Sequence, residues 1–303
     1  MLFHKEILTQ KCGECNLLIK MFVPQAKRRG METIMKDEVY LYNHERWEAL
    51  AKADALFTRP KLEFNAEKAR DYLGLDRIGI TDDLTGKKVL CLASGGGQQS
   101  ISFALLGADV SVLDISHSQL ERDNDAAKHY DVKINLFQGD MRDLSCFDDN
   151  YFDIIWHPYS LNFVPDSRVV FHEVSRILNM GGLYYLMCAN PFFAGLTHND
   201  WNGEGYTLKH TYEDETMITY SDQEWVYDQS QSQNKIQGPR EYTQTLSRIM
   251  NQLIKEGFLL SFFSEIKSND SEALPGSWSH FTDVAPPWLE FIWYYQPNIL
   301  KQK

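Results

Sequence analysis

The 303-residue chain lacks any apolar run of the roughly 20 residues needed to cross a bilayer. It also lacks an excess of basic residues, since 30 Lys and Arg stand against 42 Asp and Glu, a formal net charge of −12. Nucleic acids and anionic membranes favour basic patches, so this charge argues against both as partners. The apolar segment "NLLIKMFVP" is short and carries Lys20, which argues against a signal peptide.

Cysteines are few, and they form no metal or disulfide framework. Five are present, an odd number, and Cys91, Cys146 and Cys188 lie in apolar contexts, which favours reduced thiols and a cytoplasmic location. The remaining pair, Cys12 and Cys15 in "CGEC", lacks the second pair or the surrounding fold that a zinc or redox site needs. H-x-x-x-H, H-E-x-x-H and G-x-S-x-G motifs are also absent, so we expect neither a metal site nor a serine-hydrolase triad.

The composition is that of a soluble globular protein, with 43% hydrophobic and 13% aromatic residues. A chain of this length can bury one large core, or one core with a modest second lobe. The sequence divides into an N-terminal extension, a helical lid segment, a nucleotide-binding core, an inserted lid and the C-terminal part of the core. The expected ranges of these five parts are 1–35, 36–74, 75–190, 191–240 and 241–303.

Strands and helices alternate regularly from residue 87, and most strands are apolar at nearly every position. This pattern is typical of a parallel sheet covered by helices on both faces, so we expect a Rossmann-like doubly wound α/β fold. Ser116 and Gln119 form an S-x-x-Q capping box at one helix start. The last two strands have no evident helix between them, which predicts an antiparallel C-terminal pair. The predicted strands are 87–93, 109–115, 133–140, 151–158, 183–190, 258–266 and 288–296, and the predicted helices are 43–57, 66–74, 98–106, 116–130, 166–178 and 242–257.

The stretch "VLCLASGGGQQS", residues 89–100, runs from an apolar strand into three consecutive glycines. Such a turn presents backbone N–H groups and the positive end of a helix, and glycine lets a ligand approach where a Cβ would collide. Asp114 ends the next predicted strand, 19 residues after Gly95. A carboxylate at that position can accept two hydrogen bonds from a ribose diol, which predicts a nucleotide-containing cofactor.

Two cofactor classes fit this loop and acid. A dinucleotide site favours the pattern G-x-G-x-x-G, and here Gly95 and Gly97 fill the first two places while Ser100 occupies the third. The missing third glycine mildly disfavours NAD. The other class is S-adenosylmethionine (SAM), and the choice between them depends on features beyond the loop.

Residues 87–190 resemble the class I SAM-dependent methyltransferases, and "CLASGGGQQ" resembles the glycine loop of one bacterial branch of that superfamily. The resemblance rests on an ordered set of motifs. The glycine loop and the acid of the second strand are followed by "GDMRDL", by the strand "YFDIIWHP" and by the turn "RILNMGG". The closing antiparallel pair matches the reversed final strand of the superfamily. The resemblance therefore implies a Rossmann-like core and SAM as the cofactor.

The resemblance also implies roles for the residues at the matching positions. Asp114 would hold the ribose hydroxyls, and Ile115 would pack against the adenine. Asp140, beside Met141, would accept a hydrogen bond from the adenine amino group. His157, at the end of the fourth strand, would lie near the reacting methyl group. The residues bordering the amino-acid end of SAM would be Ala93, Ser94, Gly95 and Gly97.

The loop departs from its superfamily at two positions. Cys91 stands where an acid is common, and Ala93 stands where a glycine is common. The missing acid normally orients the glycine loop or the SAM ammonium group, so cofactor affinity is the property that these changes would affect. Gln98 or Gln99, at the start of the helix, would supply a replacement polar contact.

Methyl transfer from a sulfonium requires a positioned nucleophile, exclusion of water and, for some nucleophiles, removal of a proton. His157 is the candidate base, because an unperturbed histidine pKa of about 6.5 suits proton transfer near neutrality. The alternative interpretation is that His157 only packs on SAM or caps a loop. Further residues expected near the site or in its lid are Tyr159, Asn162, Asn190, His280, Trp47, Phe57 and Arg59.

We therefore expect a SAM-dependent methyltransferase that acts on a small-molecule acceptor, with no nucleic-acid or membrane partner. Two alternatives stay open. An NAD(P)-dependent oxidoreductase would share the glycine loop and Asp114. A non-catalytic SAM-binding module would account for the changes at Cys91 and Ala93.

Overall fold

The computed structural model describes residues 37–220 and 236–300, together with two short strands in the N-terminal extension, β1 (Leu8–Thr9) and β2 (Lys20–Met21). The rest of that extension, including the "CGEC" pair, lies outside the described residues. Residues 221–235 of the predicted inserted lid and residues 301–303 lie outside them as well.

Strands and helices alternate along the core as the sequence predicts. The remaining strands are β3 (Lys88–Leu92), β4 (Asp109–Asp114), β5 (Ile134–Gln138), β6 (Phe152–His157), β7 (Leu178–Ala189), β8 (Met217–Thr219), β9 (Arg240–Tyr242), β10 (Phe258–Ile266) and β11 (Trp288–Tyr295). The helices are α1 (Glu38–Lys52), α2 (Ala66–Leu73), α3 (Gln99–Leu105), α4 (His117–His129), α5 (Ser167–Ile177), α6 (Leu246–Glu256), α7 (Trp278–Val284) and α8 (Pro297–Leu300). No helix among the described residues is long and apolar enough to span a membrane.

The main sheet has the strand order β5-β4-β3-β6-β7-β11-β10, extended beyond β5 by β2 and β1. Its central strands are parallel, and only β11 among the seven runs antiparallel to both of its neighbours. Strands β8 and β9 form a separate antiparallel pair. The prediction of a Rossmann-like, mostly parallel sheet with an antiparallel C-terminal strand is therefore confirmed.

The apolar strands are explained by burial on both faces of the sheet. Along β3, Leu90 and Leu92 enter one core cluster, together with side chains of α5 and α6. Val89 and Cys91 alternate with them and enter the opposite cluster, which includes Phe103 of α3. Because successive side chains of a strand point to opposite faces, a strand covered on both sides needs apolar residues at every position.

Several element boundaries differ from the sequence-based prediction, among them the end of α1, which lies at Lys52 rather than at 57. Helix α1 begins at Glu38 rather than at 43, because the Asp37 side chain caps it by accepting from the Tyr40 N–H at 2.8 Å. Helix α6 begins only at Leu246, where Thr245 is the cap, and part of the preceding segment forms β9. Strand β7 starts at Leu178, directly after α5, so that "NMGG" belongs to the strand instead of forming a separate turn.

The segment between the last two strands also differs from its prediction. The antiparallel pairing of β10 and β11 is confirmed, with Phe258 opposite Tyr295 and Ile266 opposite Trp288. The helix α7 lies between them, however, although none was expected. The Ser277 side chain caps this helix, and its Phe281 is buried, so about two turns of helix are stabilised by one cap and one packed ring.

Candidate functional site

A cavity of about 940 Å³ opens where the carboxyl ends of β3, β4 and β5 meet. This edge is where parallel α/β sheets bind their ligands, and the volume suits a small-molecule or cofactor site. Seven of the residues predicted to bind the cofactor line the cavity. They are Ala93, Ser94, Gly95, Asp114, Ile115, Asp140 and Met141.

Gly95 and Asp114 lock the loop to the end of β4. The Gly95 N–H donates to Asp114 Oδ2 at 2.8 Å, and the Ser116 N–H donates to Oδ1, also at 2.8 Å. A Cβ at Gly95 would lie 2.7 Å from the Gln119 Cβ, so no other residue fits without displacement. Burial raises the pKa of Asp114 to about 6. Each carboxylate oxygen can accept more than one hydrogen bond, so this carboxylate can still accept from a ligand.

Gly97 does not line the cavity, in contrast to its predicted role beside SAM. Its backbone has φ +78°, and a Cβ there would lie 3.0 Å from the Ala126 Cβ of α4. The Gly97 N–H donates to Asp123 Oδ1 at 3.1 Å, and the Gly96 N–H donates to Oδ2 at 2.7 Å. Gly97 therefore serves the packing of the loop against α4.

Asp123 is the acid that organises this loop, and the sequence analysis missed it. It is fully buried and accepts a third hydrogen bond from the Ser100 hydroxyl. Burial raises its pKa to about 7. The helical periodicity could have indicated it. Asp123 lies on the face of α4 that also buries Leu120 and Ala126, and a charged residue on a buried face is rare.

The departures at Cys91 and Ala93 have separate explanations. The buried Cys91 thiol lies within electrostatic range of Asp123, which adds to the effect of burial in raising the thiol pKa. An acid at position 91 would place a second carboxylate beside the one that α4 already supplies. Ala93 adopts a left-handed backbone with φ 47°, the conformation for which its superfamily commonly uses glycine.

Replacing Ala93 by glycine is expected to raise the free energy of unfolding by about 0.5 kcal/mol. The left-handed conformation costs an L-residue about 1–2 kcal/mol, and the greater backbone entropy of unfolded glycine offsets roughly 0.5–1 kcal/mol of that gain. Urea denaturation measures the change. Ala49→Gly in α1, where the backbone is helical, is the control and should lower stability. A loss of stability in Ala93→Gly similar to that in the control would contradict this account.

Gln98 binds the N-terminal segment rather than presenting its amide to a ligand. Its Nε2 donates to the carbonyl of Phe57 at 3.0 Å and to the carbonyl of Arg59 at 2.7 Å. The side chains of Phe57, Arg59 and Trp47, all predicted lid residues, line the cavity. Gln99 meets Ser94, whose hydroxyl donates to Oε1 at 3.3 Å. The glycine loop is thus tied directly to one wall of the cavity.

Asp140 is paired with Arg142, a contact that the sequence analysis did not foresee. The Arg142 Nε lies 3.1 and 3.0 Å from the two Asp140 oxygens, and Nη2 donates to Oδ2 at 2.7 Å. The same guanidinium binds the Asp37 carboxylate at 2.7 and 2.9 Å and lowers the pKa of Asp37. Arg142 therefore joins the start of α1 to the end of β5 and fixes Asp140 at the cavity.

His157 does not lie in the cavity lining, whereas the resemblance places it near the reacting methyl group. The side chain is fully buried, and Nδ1 forms a hydrogen bond of 2.9 Å with the Tyr184 hydroxyl. Burial lowers the pKa of His157 to about 3. The alternation of β6 explains this placement, because His157 shares a face with Ile155, which lies in the core cluster of α5 and α6.

Gln119 provides an unpartnered acceptor at the cavity. The Ser116 hydroxyl accepts from the Gln119 N–H at 3.2 Å, as the predicted capping box requires. The Gln119 side chain does not return the bond, and its buried Oε1 has no hydrogen-bond partner among the described residues. A buried acceptor without a partner, beside the glycine loop at Gly95, suits a ligand that brings hydroxyl or amino donors. These residues fit a cofactor with a ribose diol and an adenine, such as SAM.

The remaining candidates divide between the cavity and the surrounding structure. Tyr159, Asn162 and Asn190 line the cavity, whereas His280 hydrogen-bonds with Tyr206 outside it. No group of three or more His, Cys, Asp or Glu residues in the described ranges could hold a metal ion. Cavity residues that the sequence did not indicate as site residues include Gln119, Glu241, Tyr220, Tyr242 and Trp288.

Comparison with known proteins agrees with this geometry. A family model described as a methyltransferase domain matches residues 90–186. The chain is 44% identical over 108 residues to the uncharacterized methyltransferase YbaJ of Bacillus subtilis, an alignment that covers 36% of this chain and 42% of that protein. It is 28% identical over 116 residues to a ubiquinone biosynthesis O-methyltransferase of Xanthomonas oryzae, covering 38% of this chain and 48% of that enzyme.

The fold is shared with a solved SAM-dependent methyltransferase of Mesorhizobium loti, with a TM-score of 0.55 and 19% identity over 77% of this chain and 100% of that one. The chain spans less than half the length of the two curated relatives. The family match and the strand order agree with each other. Residues 90–186 match a methyltransferase domain, and the chain shares the fold of a solved SAM-dependent methyltransferase.

Proposed function

We propose that this protein is a SAM-dependent methyltransferase that acts on a small-molecule acceptor. The observation that carries the proposal is a single cavity with two kinds of wall. One wall consists of the glycine loop and the acids at the ends of β4 and β5. The other consists of aromatic side chains, among them Trp47, Phe163 and Trp288. A nucleoside and an apolar acceptor can therefore lie side by side.

This chain's own residues would bind and orient the cofactor. Asp114 would accept from the ribose hydroxyls, Gln119 Oε1 would accept a further donor, and Asp140 would accept from the adenine amino group. Ala93, Ser94 and Gly95 would border the amino-acid end, while Ile115 and Met141 would pack against the adenine. When bound, SAM supplies a methyl group on a positively charged sulfur that leaves as a neutral thioether.

The surrounding segments would exclude water and select the acceptor. Residues 36–74 and 191–240, the predicted lids, both contribute side chains to the cavity, including Trp47, Phe57, Phe193 and Tyr220. A cavity of this size suits a small molecule better than a polymer, and the net charge of −12 opposes a nucleic-acid acceptor. The name of the Xanthomonas oryzae relative, a ubiquinone biosynthesis O-methyltransferase, supports the same class of acceptor.

The test is transfer of a labelled methyl group from SAM into a metabolite extract. We expect label in one or a few low-molecular-weight products, which disappear when Asp114→Ala replaces the wild-type protein. Label found only in protein or nucleic acid would contradict a small-molecule acceptor. No incorporation by a protein that binds SAM would favour the non-catalytic alternative. The comparisons give no support to an NAD(P)-dependent oxidoreductase.

A further inference from the structure

Glu241 is a buried acid in the cavity wall, outside the set of residues that would bind the cofactor. It lies on β9, with 7% of its surface exposed, and it lines the cavity. It lies far from the cofactor-binding motifs in the sequence. Its strand, β9, belongs to the small second sheet. A buried carboxylate beside a ligand cavity needs donors from the protein, from a ligand, or from both.

Two tyrosines hold this carboxylate from one side. The Tyr220 hydroxyl donates to Oε1 at 2.5 Å, and the Tyr159 hydroxyl lies 3.3 Å from Oε1 and 3.2 Å from Oε2. Oε2 thus receives only the long, shared bond from Tyr159 within the described part of the chain. The buried Arg46 attracts the carboxylate electrostatically. Oε2 consequently retains the capacity to accept from a ligand.

Tyr159 is held in an unusual backbone conformation. Its φ is 32°, in the left-handed region that a bulky side chain rarely adopts. It follows β6 by two residues, at the same edge of the sheet as the glycine loop. Strain of this kind persists where the surrounding structure requires it, and it clusters at functional sites. Here the strained residue points its hydroxyl at Glu241.

Aromatic rings surround this polar group. Tyr159 makes edge contacts with Phe163 at 6.5 Å and with Trp288 at 6.4 Å between ring centroids. Phe163 in turn meets Trp47 at 5.7 Å. All of these rings line the cavity, so the Glu241 carboxylate is an acidic group within an aromatic part of the cavity wall. A ligand that matches this wall has an apolar ring skeleton with one hydrogen-bond donor.

We propose that Glu241 is the catalytic base of this methyltransferase and that the acceptor presents a hydroxyl or amino group on an apolar ring skeleton. The inference rests on the proposed function. The acceptor O or N donates its hydrogen to Oε2 and forms the new bond to the methyl carbon while the carbon–sulfur bond breaks. The proton passes to Glu241, which becomes neutral, and the sulfonium charge is lost with the leaving thioether, so charge and atoms balance.

The environment of Glu241 suits this proton transfer. Burial raises the pKa of the Glu241 carboxyl above its ordinary value, although hydrogen bonds from Tyr220 and Tyr159 and the charge of Arg46 act in the opposite direction. A carboxylate of raised pKa is a better proton acceptor near neutral pH than an exposed glutamate. His157, outside the cavity and with a pKa of about 3, lacks both the position and the basicity for this task.

The first test measures binding rather than turnover. With S-adenosylhomocysteine (SAH) present, quenching of tryptophan fluorescence gives the affinities of 2-naphthol, 2-(aminomethyl)naphthalene and 2-methoxynaphthalene, the last of which has no donor. We expect wild-type protein to bind at least one donor probe tenfold or more tightly than the methoxy probe. Glu241→Leu should lose that preference. The two donor probes distinguish a hydroxyl acceptor from an amine.

The second test separates the base from the cofactor site. Glu241→Gln keeps the size and one acceptor oxygen, so we expect SAH affinity within twofold of wild type and methyl transfer to the preferred probe lowered by 100-fold or more. Glu290 is also a buried glutamate, and it accepts a hydrogen bond from the Tyr185 hydroxyl outside this cavity. Glu290→Gln is therefore the control and should retain methyl transfer.

The outcomes distinguish this inference from the proposed function. Wild-type protein that binds no SAH contradicts the proposed function itself. Wild-type protein that binds SAH but shows no preference for a donor probe overturns the role of Glu241. A preference that persists in Glu241→Leu, or transfer by Glu241→Gln within threefold of wild type, overturns it as well.

Discussion

Asp123→Ala is expected to lower the free energy of unfolding by at least about 3 kcal/mol and to weaken SAM binding more than tenfold. The substitution leaves the Gly96 and Gly97 N–H groups and the Ser100 hydroxyl without their acceptor in a buried site. Each unsatisfied buried donor costs roughly 1–3 kcal/mol. The glycine loop would then shift to reach other hydrogen-bond acceptors, which would displace Gly95 from its position at the cavity. Urea denaturation and calorimetric titration measure the two effects.

A matched control lies on the same helix. Asp125 is exposed, forms a surface ion pair with Lys128 and accepts a weak hydrogen bond from Asn124 Nδ2 at 3.2 Å, so Asp125→Ala should change stability by less than about 1 kcal/mol. Asp123→Asn keeps one acceptor oxygen and should fall between wild type and Asp123→Ala. Equal stability of Asp123→Ala and Asp125→Ala would contradict the organising role of Asp123.

The same acid gives the protein a defined pH dependence. Burial raises the pKa of Asp123 from 3.8 to about 7 and that of Asp114 from 3.8 to about 6. Between pH 4 and pH 7 the folded protein therefore holds protons that the unfolded chain has released. The contribution of these two acids to the free energy of unfolding should accordingly decrease as the pH rises through this window, by at most about 1.4 kcal/mol per unit for each group, while the lowered pKa of His157 acts in the opposite direction. In Asp123→Asn the slope should be shallower, and an unchanged slope would oppose this assignment.

The second large effect is expected at Asp114. Asp114→Ala removes the acceptor for the ribose hydroxyls and also frees the Gly95 and Ser116 N–H groups. Hydrogen bonds to a charged group contribute roughly 1.5–3 kcal/mol, so the dissociation constant for SAM should rise about tenfold to 150-fold. Isothermal titration calorimetry of the folded variant measures this change.

The control for Asp114 lies at the other end of the same strand. Asp109 is exposed at the start of β4, away from the cavity, and Asp109→Ala should leave SAM affinity unchanged. Thermal denaturation of both variants separates loss of binding from loss of folding. An affinity for SAM in folded Asp114→Ala within threefold of wild type would contradict the ribose-binding role.

The sequence predicted the architecture well because the relevant signals are local. The alternation of apolar strands with capped helices predicted the parallel sheet. The positions of Asp114 and Asp140 at strand ends predicted that both lie at one edge of it. The structure differs from the prediction where a capping residue, or packing between elements, sets the boundary of a helix. Asp37 extends α1 toward the N-terminus through a single hydrogen bond to the Tyr40 N–H. Helix α7 depends on the Ser277 cap and one buried ring.

The functional residues that were missed meet across long separations in the chain. Asp123 and Gly96 are 27 residues apart, and Tyr159 and Glu241 are 82 apart. Periodicity shows which face of an element is buried, but it does not show which side chains meet there. His157 illustrates the converse, because its position at the end of β6 was correctly predicted while strand alternation directs its ring into the core.

The central claim is that the cavity at the ends of β3, β4 and β5 binds SAM. Calorimetric titration of the wild-type protein with SAM, and separately with NADH, tests it most directly. We predict saturable binding of one SAM molecule per chain and no heat of binding with NADH. Absence of binding at millimolar SAM, or saturable binding of NADH, would contradict it.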